Sequence, residues 1–239
     1  MPKLLIFMPT LNEVNSAANL IHDLHRQISF ADFLVIDDGS TDGTVEELSA
    51  LKLKKLKIIT RGKRLGIGSA HKTAIQFAKQ KNYSFLITMD ADGTHRTEDV
   101  LTLFENREIA NVVIGSRFMD GSSIIDWSIS RIFLTRIAHL VTKYGLKLPF
   151  DSSSGLRSYS LNKISNKLIQ EISNLDSNGY EFFFKSLMLM NLRKVLIADF
   201  PVKLEARKLG ASKMDFISAS KSVYKLFQTV LYFRILKRF

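Results

Sequence analysis

Four short apolar runs dominate the first half of the chain, and each ends abruptly in a cluster of polar residues. The runs are Leu4 to Met8, Phe33 to Ile36, Phe85 to Met89 and Val112 to Ile114, with a weaker fifth at Leu56 to Ile59. Runs this short, rich in β-branched and aromatic residues, read as strands buried on both faces. Between them lie stretches with helical spacing. Val14 to Gln27 is the clearest, followed by Ile28, with Ala17, Ala18, Ile21, Leu24 and Ile28 on one stripe. Thr44 to Lys52, Gly68 to Lys79 and Glu98 to Glu105 follow the same logic. Strands alternating with helices predict an α/β fold with a mostly parallel central sheet and helices on both faces.

The second half is less regular. Helices are predicted over Ile129 to Lys147, Asn162 to Ile172, Tyr180 to Asn191 and Phe216 to Arg238, with extended pieces at Gly155 to Tyr159 and Val195 to Leu204. No Pro/Gly/Ser-rich linker cuts the chain, so one domain over residues 1–215 is expected, with 216–239 as a carboxy-terminal helix. At 46% hydrophobic residues, the 239-residue chain has ample material for a core, which excludes a disordered protein.

The polar clusters carry the function. In an open α/β sheet, ligands bind beyond the carboxyl ends of the strands. Pro9-Thr10-Leu11-Asn12-Glu13, Asp37-Asp38-Gly39-Ser40-Thr41-Asp42-Gly43, Asp90-Ala91-Asp92-Gly93-Thr94-His95 and Gly115-Ser116-Arg117 all fall there. Any one of them is ordinary turn and cap chemistry. Four of them at one sheet edge point to a ligand site. Within Asp90-Ala91-Asp92, residues i and i+2 of an extended segment face the same side, so two carboxylates share one cation. Oxygen ligands of this kind suit Mg²⁺ or Mn²⁺ bound together with phosphates. Asp38 is suited to accept hydrogen bonds from a ribose or base edge. Gly66-Ile67-Gly68-Ser69 opens a helix and could cradle phosphate, although no Walker pattern is present.

The absence of cysteine excludes disulfides, thiol catalysis and Cys-ligated metals. Lys and Arg number 34 against 23 Asp and Glu, a net charge of +11 that calls for an anionic ligand, polyanion or surface. No recognised nucleic-acid motif interleaves the basic residues with aromatics, so no nucleic-acid partner is expected. The amino terminus lacks the long apolar region of a signal peptide, and no window of about 18–20 apolar residues predicts a transmembrane helix. The basic, aromatic-rich carboxy-terminal stretch fits an interfacial amphipathic helix on an anionic membrane surface. A helix packed on its own domain is the alternative.

Taken in order, these clusters carry a resemblance. With them come Ser154-Gly155-Leu156-Arg157-Ser158-Tyr159, Gly179-Tyr180-Glu181 and Arg207…Gly210-Ala211-Ser212-Lys213. Over roughly residues 3 to 215 the chain resembles family 2 glycosyltransferases of the dolichyl-phosphate mannose synthase type. The resemblance implies the GT-A nucleotide-sugar transferase fold, an inverting reaction, a divalent metal and a nucleotide-sugar donor, GDP-mannose or a UDP-sugar. It places the nucleotide pocket on Pro9, Leu11, Glu13, Ile36 and Asp38. The metal and diphosphate site falls on Asp90, Ala91 and Asp92, with Arg117 beside it, Arg207 and Lys213 on a late loop, and Arg131 near the acceptor. Leu11 stands where the family usually has an aromatic residue, and Thr94 where Gln is frequent; Thr94 or water would be the third metal ligand.

A polyprenyl-phosphate acceptor arrives ionised and needs cations rather than a base. Arg131, Thr135, His139 and Lys143 fall at i, i+4 spacing on one predicted helix face. A hydroxyl acceptor would instead require a base such as Glu181 or Asp151. The expected enzyme works peripherally at the cytoplasmic face of a membrane, which leaves room for a separate membrane-anchoring protein. A non-catalytic basic binding protein is the remote alternative.

Overall fold

The computed structural model describes residues 3–120, 123–125, 129–204 and 216–232. The predicted alternation is present from the start. It runs β1 (Leu4–Thr10), α1 (Ala17–Gln27), β2 (Asp32–Asp37), α2 (Thr44–Ala50), β3 (Leu56–Thr60), α3 (Ile67–Gln80), β4 (Phe85–Thr88), α4 (Thr97–Glu105) and β5 (Val112–Ser116). After β6 (Ser123–Ile124) come α5 (Ile129–Leu140), β7 (Arg157–Ser160), α6 (Asn166–Ser173), α7 (Glu181–Leu192), β8 (Ile197–Pro201), β9 (Lys203–Leu204) and α8 (Phe216–Leu231).

Seven strands form the central sheet in the order β3-β2-β1-β4-β7-β5-β8, and all neighbours are parallel except β7, which runs antiparallel to both β4 and β5. Register brings Thr10 level with Asp37, Phe7 with Thr88, and Thr88 and Ile114 each with Arg157. The carboxyl ends of four parallel strands therefore meet the beginning of β7 at one edge. Side chains alternate across the strands. Leu5, Phe7, Leu34, Ile36 and Leu86 face a core shared with α3, α6 and α7. Leu4, Ile6, Met8, Phe33, Val35 and Ile87 face a second core under α1 and α4. Burial on both faces explains why these strands read as unbroken apolar runs.

Two helices differ from their predicted extent for local reasons. The segment predicted as one helix from Asn162 is broken because Ser165 adopts an extended conformation and caps α6, its hydroxyl accepting the Leu168 N–H at 3.2 Å. The helix predicted over 129–147 passes at Val141 into a π-helical turn, Val141–Gly145.

Candidate active site

The two adjacent acids that close β2 have separate fates. Asp37, 1% exposed, accepts the Thr10 hydroxyl at 2.8 Å and the amides of Gly39 and Ser40 at 3.0 and 2.8 Å, and also bonds the Ser40 hydroxyl. It pins the turn. Asp38, buried just past β2, is ion-paired with Arg61 and accepts the Gly66 N–H at 2.9 Å. Arg61 reaches on to Ser69 Oγ at 2.9 Å and the Gly66 carbonyl at 3.2 Å. Gly66 is required here: its φ is +95°, and a Cβ would lie 2.2 Å from the Asn178 carbonyl oxygen. Sequence reasoning missed Arg61, although a cation one residue beyond β3 was a readable signal.

Opposite Asp38 lies the loop after β1. Asn12 bridges to the β2 loop in both directions, its N–H donating to Ser40 Oγ and its side-chain oxygen accepting from Thr41 N, each at 2.8 Å. The Glu13 N–H donates to Thr44 Oγ1 at 2.8 Å. Pro9 and Leu11 are half-buried and Glu13 is buried at the sheet edge. Ile36 is fully buried among core residues, so only its backbone can serve a nucleotide.

Asp90 and Asp92 follow β4, with buried Ala91 turned into the core between them. The Asp90 N–H donates to His95 Nδ1 at 3.1 Å. Thr94 turns back on Asp92, its N–H donating at 3.0 Å and its hydroxyl bonding the same oxygen, an Asx-turn partner rather than an outward-facing ligand. A Cβ at Gly155 would sit 3.2 Å from Asp90 Oδ1, so the glycine leaves that carboxylate room. Among the described residues no cluster of three His, Asp or Glu side chains could hold a metal alone. Two carboxylates with only oxygen donors fit a hard cation that takes its remaining ligands from phosphate and water.

Arg117, just past β5, grips Asp151 through two parallel bonds, Nε to Oδ2 at 2.8 Å and Nη2 to Oδ1 at 2.7 Å, while its backbone N–H adds a third at 3.1 Å. Asp151 is fully buried. Burial pushes its carboxyl up, and the Arg117 charge and hydrogen bonds outweigh that, holding it below the usual carboxylate range. Phe118 stacks on His139 with ring centroids 4.0 Å apart, which docks α5 beside Arg117. Burial lowers the His139 pKa, with Lys143 and Arg117 adding to it against Asp151. The side chain of Arg131 and the whole of Arg207 and Lys213 lie outside the described residues.

Glu181 is not exposed to a ligand. It is 4% exposed, bonded to Lys225 Nζ of α8 at 2.5 Å and to the Gly179 N–H at 3.3 Å. Burial raises its pKa, and the Lys225 hydrogen bond with the Glu181 and Gly179 amides more than offsets this. Arg157, also fully buried, spends its donors on the Ser152, Ser154 and Phe183 carbonyls and Ser186 Oγ.

A parallel sheet interrupted by one antiparallel strand, with two carboxylates after β4 and polar loops after β1 and β2, is an α/β architecture of the GT-A type. Solved glucosyl-3-phosphoglycerate synthase from Mycobacterium tuberculosis, in complex with Mn²⁺, uridine-diphosphate and phosphoglyceric acid, shares this fold with a TM-score of 0.68 over 96% of this chain and 78% of that one, at 18% identity. Residues 5–165 match the glycosyl transferase family 2 model, and the chain belongs to that family. It is 27% identical over 227 residues to polyprenol monophosphomannose synthase of Mycolicibacterium smegmatis, covering 93% of this chain and 84% of that protein. It is 28% identical over 216 residues to undecaprenyl-phosphate mannosyltransferase of Micrococcus luteus, covering 89% and 88%. The chain is therefore a glycosyltransferase, and the alternative of a non-catalytic basic protein falls away.

Proposed function

We propose that this enzyme transfers a sugar, mannose in the first instance, from a nucleotide-sugar donor to a polyprenyl monophosphate. The names of the two relatives support both sugar and acceptor. The observation that carries the reading is the state of the two acids suited to activate a hydroxyl. Asp151 is buried and gripped by Arg117, and Glu181 is buried and gripped by Lys225. Both are held in the ionised form by a cation that blocks proton uptake. A phosphate acceptor is already an anion and needs no such base.

Pro9, Leu11, Glu13 and Asp38 would hold the nucleoside, with Arg61 orienting Asp38. Asp90 and Asp92 would hold Mg²⁺ or Mn²⁺ against the donor diphosphate. When bound, that ion neutralises charge on the departing nucleoside diphosphate. Arg117 uses its Nε–Nη2 edge on Asp151 and gives Nη2 to Ser153 Oγ as well, so Nη1 would be the donor for a phosphate oxygen. Arg131 on α5 would meet the acceptor phosphate, and Arg207 and Lys213 would add charge from the late loop. The sugar's anomeric carbon then passes from the leaving diphosphate oxygen to the incoming phosphate oxygen with inversion, and no proton has to be removed.

The lipid would approach over α5 and α8. Among the described residues no helix is long and apolar enough to cross a membrane. Large apolar side chains nevertheless stand out from α5 and its π-helical turn at Phe133, Leu134 and Tyr144, and from α8 at Tyr224, Phe227 and Leu231. On a chain of net charge +11 this face suits an anionic bilayer surface. The test is transfer from GDP-mannose and UDP-sugars, with Mg²⁺ or Mn²⁺, to polyprenyl phosphate beside free polyprenol. Turnover with the phosphate alone is expected; preference for the alcohol would overturn the acceptor assignment.

A further inference from the structure

Asp199 is an acid placed inside an apolar edge strand. It sits on β8 in register with Ile114 and between Ala198 and Phe200, and it is only half-exposed. Its carboxylate turns toward the loop that carries Asp151. Both oxygens lie near the Asp151 backbone nitrogen, at 3.3 and 3.2 Å, and the Ser116 hydroxyl bonds it as well. Asp151 is thereby held from two sides, its carboxylate by Arg117 and its amide by Asp199. Ser116, which touches Asp199, directly precedes Arg117 in the chain.

The charges around this acid make its presence costly. Asp151 faces it with the same sign from the loop before β7. The favourable charge is Arg157 on β7, whose guanidinium is committed to neutral oxygens. Arg117 and His139 both favour the ionised form of Asp151. An Asn at 199 would fill the same space without the repulsion, so the charge itself calls for an explanation.

We propose that Asp199 is a positioning residue: by accepting the Asp151 amide and the Ser116 hydroxyl, it fixes the orientation in which Asp151 presents Arg117 to the reacting phosphates. The proposal rests on the reading of Arg117 as a substrate-facing cation. Burial, reinforced by the Asp151 charge, pushes the Asp199 carboxyl up to about 6. Protonation there weakens its acceptance of both hydrogen bonds, so the Arg117 fork loosens as pH falls through that value. Because the ionised form is the disfavoured one in the folded protein, its charge costs stability above about pH 6, and that cost fades as pH falls.

The experiment compares the full-length wild type with Asp199→Asn by three measurements. These are kcat and donor KM with a short polyprenyl phosphate from pH 5 to 8.5, the melting temperature at pH 8, and the Arg117 Nε–H resonance, assigned by its loss in Arg117→Lys. The wild type should show an acidic limb in kcat near pH 6 and a resonance that shifts over the same range. Asp199→Asn should lose that limb and that shift, run about tenfold slower at pH 7.5 with donor KM little changed, and melt no lower than wild type at pH 8. A kcat and limb equal to wild type would overturn the proposal, as would a lower melting temperature that accounts for the lost activity. If the resonance follows Asp199 while no polyprenyl phosphate is turned over, the positioning stands and the acceptor assignment fails. If turnover occurs and neither limb nor resonance responds to Asp199, the assignment stands and the positioning is wrong.

Discussion

The two sides of the site are built differently. On the donor side, the loops after β2 and β4 are held mainly by short side-chain-to-backbone bonds, with one buried ion pair, Asp38 with Arg61, beside them. Asp37 caps its own turn, Asp42 accepts from Thr44 two residues on, and Asp92 accepts from Thr94 two residues on. On the acceptor side, order comes from ion pairs that hold buried carboxylates across distant segments, Asp151 with Arg117 and Glu181 with Lys225. An acid held by its own turn, such as Asp92, can therefore be removed with loss of chemistry and little loss of stability. On the acceptor side a single truncation strands a buried charge, and chemistry and stability fall together.

Asp92→Asn should give the largest effect and test the first half of this contrast. Turnover should drop by roughly 10³-fold, the upper range for deleting one preorganised charge stabiliser, with a melting temperature close to wild type. EDTA should have the same effect on the unaltered enzyme, reversed by Mn²⁺ or Mg²⁺. Full activity in EDTA would remove the metal from the mechanism. A large fall in stability would show that the donor side, too, is structural.

The ion pair on the other side should behave in the opposite way. Arg117→Ala leaves Asp151 charged and fully buried, a situation that costs about 3–5 kcal/mol. Replacing both with apolar residues, Arg117→Met with Asp151→Leu, should recover most of the stability and none of the activity. The pH dependence has a definite sign. The folded-state pKa of Asp151 is depressed, so its stabilisation is present above the ordinary carboxylate value and is lost as pH falls through the lowered one. Denaturant titrations from pH 7 down to pH 3 should show that loss in wild type and not in the double variant.

The same contrast explains what could be read from the sequence. β1 to β5 and the polar clusters after them were legible because strand burial and turn chemistry are local: Asp90-Ala91-Asp92 announces itself within three residues. Arg61, Lys225 and Asp199 were not. Each acts on a residue far off in the chain, and the local marks are slight: a cation one residue beyond β3 and an acid between Ala198 and Phe200. Glu181 was legible as a motif residue, yet its role depended on a helix that returns 44 residues later. Ile36 marked the pocket's neighbourhood while its side chain belongs to the core.

Glu181 and Lys225 give a smaller effect that sharpens this point. The Lys225 side chain is about half exposed, 47%, and water screens its charge, so Lys225→Ala should cost only about 1–2 kcal/mol, well under the figure for a fully buried pair. Glu181→Gln keeps the shape and can still accept from Gly179. Its rate with polyprenyl phosphate should fall by less than the roughly 10²–10⁴-fold that loss of a general base would produce. A loss in that range would restore Glu181 as a base and the hydroxyl acceptor with it.

The smallest effect separates the two faces of α8. Leu226 and Thr229 are buried, Val230 packs on the core, and the helix lies against α7 and the π-helical turn. Tyr224, Phe227 and Leu231 point the other way and are each more than half exposed. An aromatic ring that enters a lipid interface gains in proportion to the apolar area it hides, so a pair of such side chains contributes on the order of 1–3 kcal/mol to membrane partitioning. Tyr224→Ser with Phe227→Ser should then weaken binding to anionic vesicles by roughly tenfold or more, leave the melting temperature in place, and leave kcat with a short, water-soluble polyprenyl phosphate unchanged. Raised salt should weaken binding further in wild type, since the basic surface contributes separately. Leu226→Ala is the counterpart on the inner face: it opens a gap in the core and should lower the melting temperature without altering vesicle binding by the protein that stays folded. If the Tyr224 and Phe227 changes lowered stability and left vesicle binding untouched, both faces of α8 would be packing surfaces, and the lipid would have to reach Arg117 by way of α5 alone.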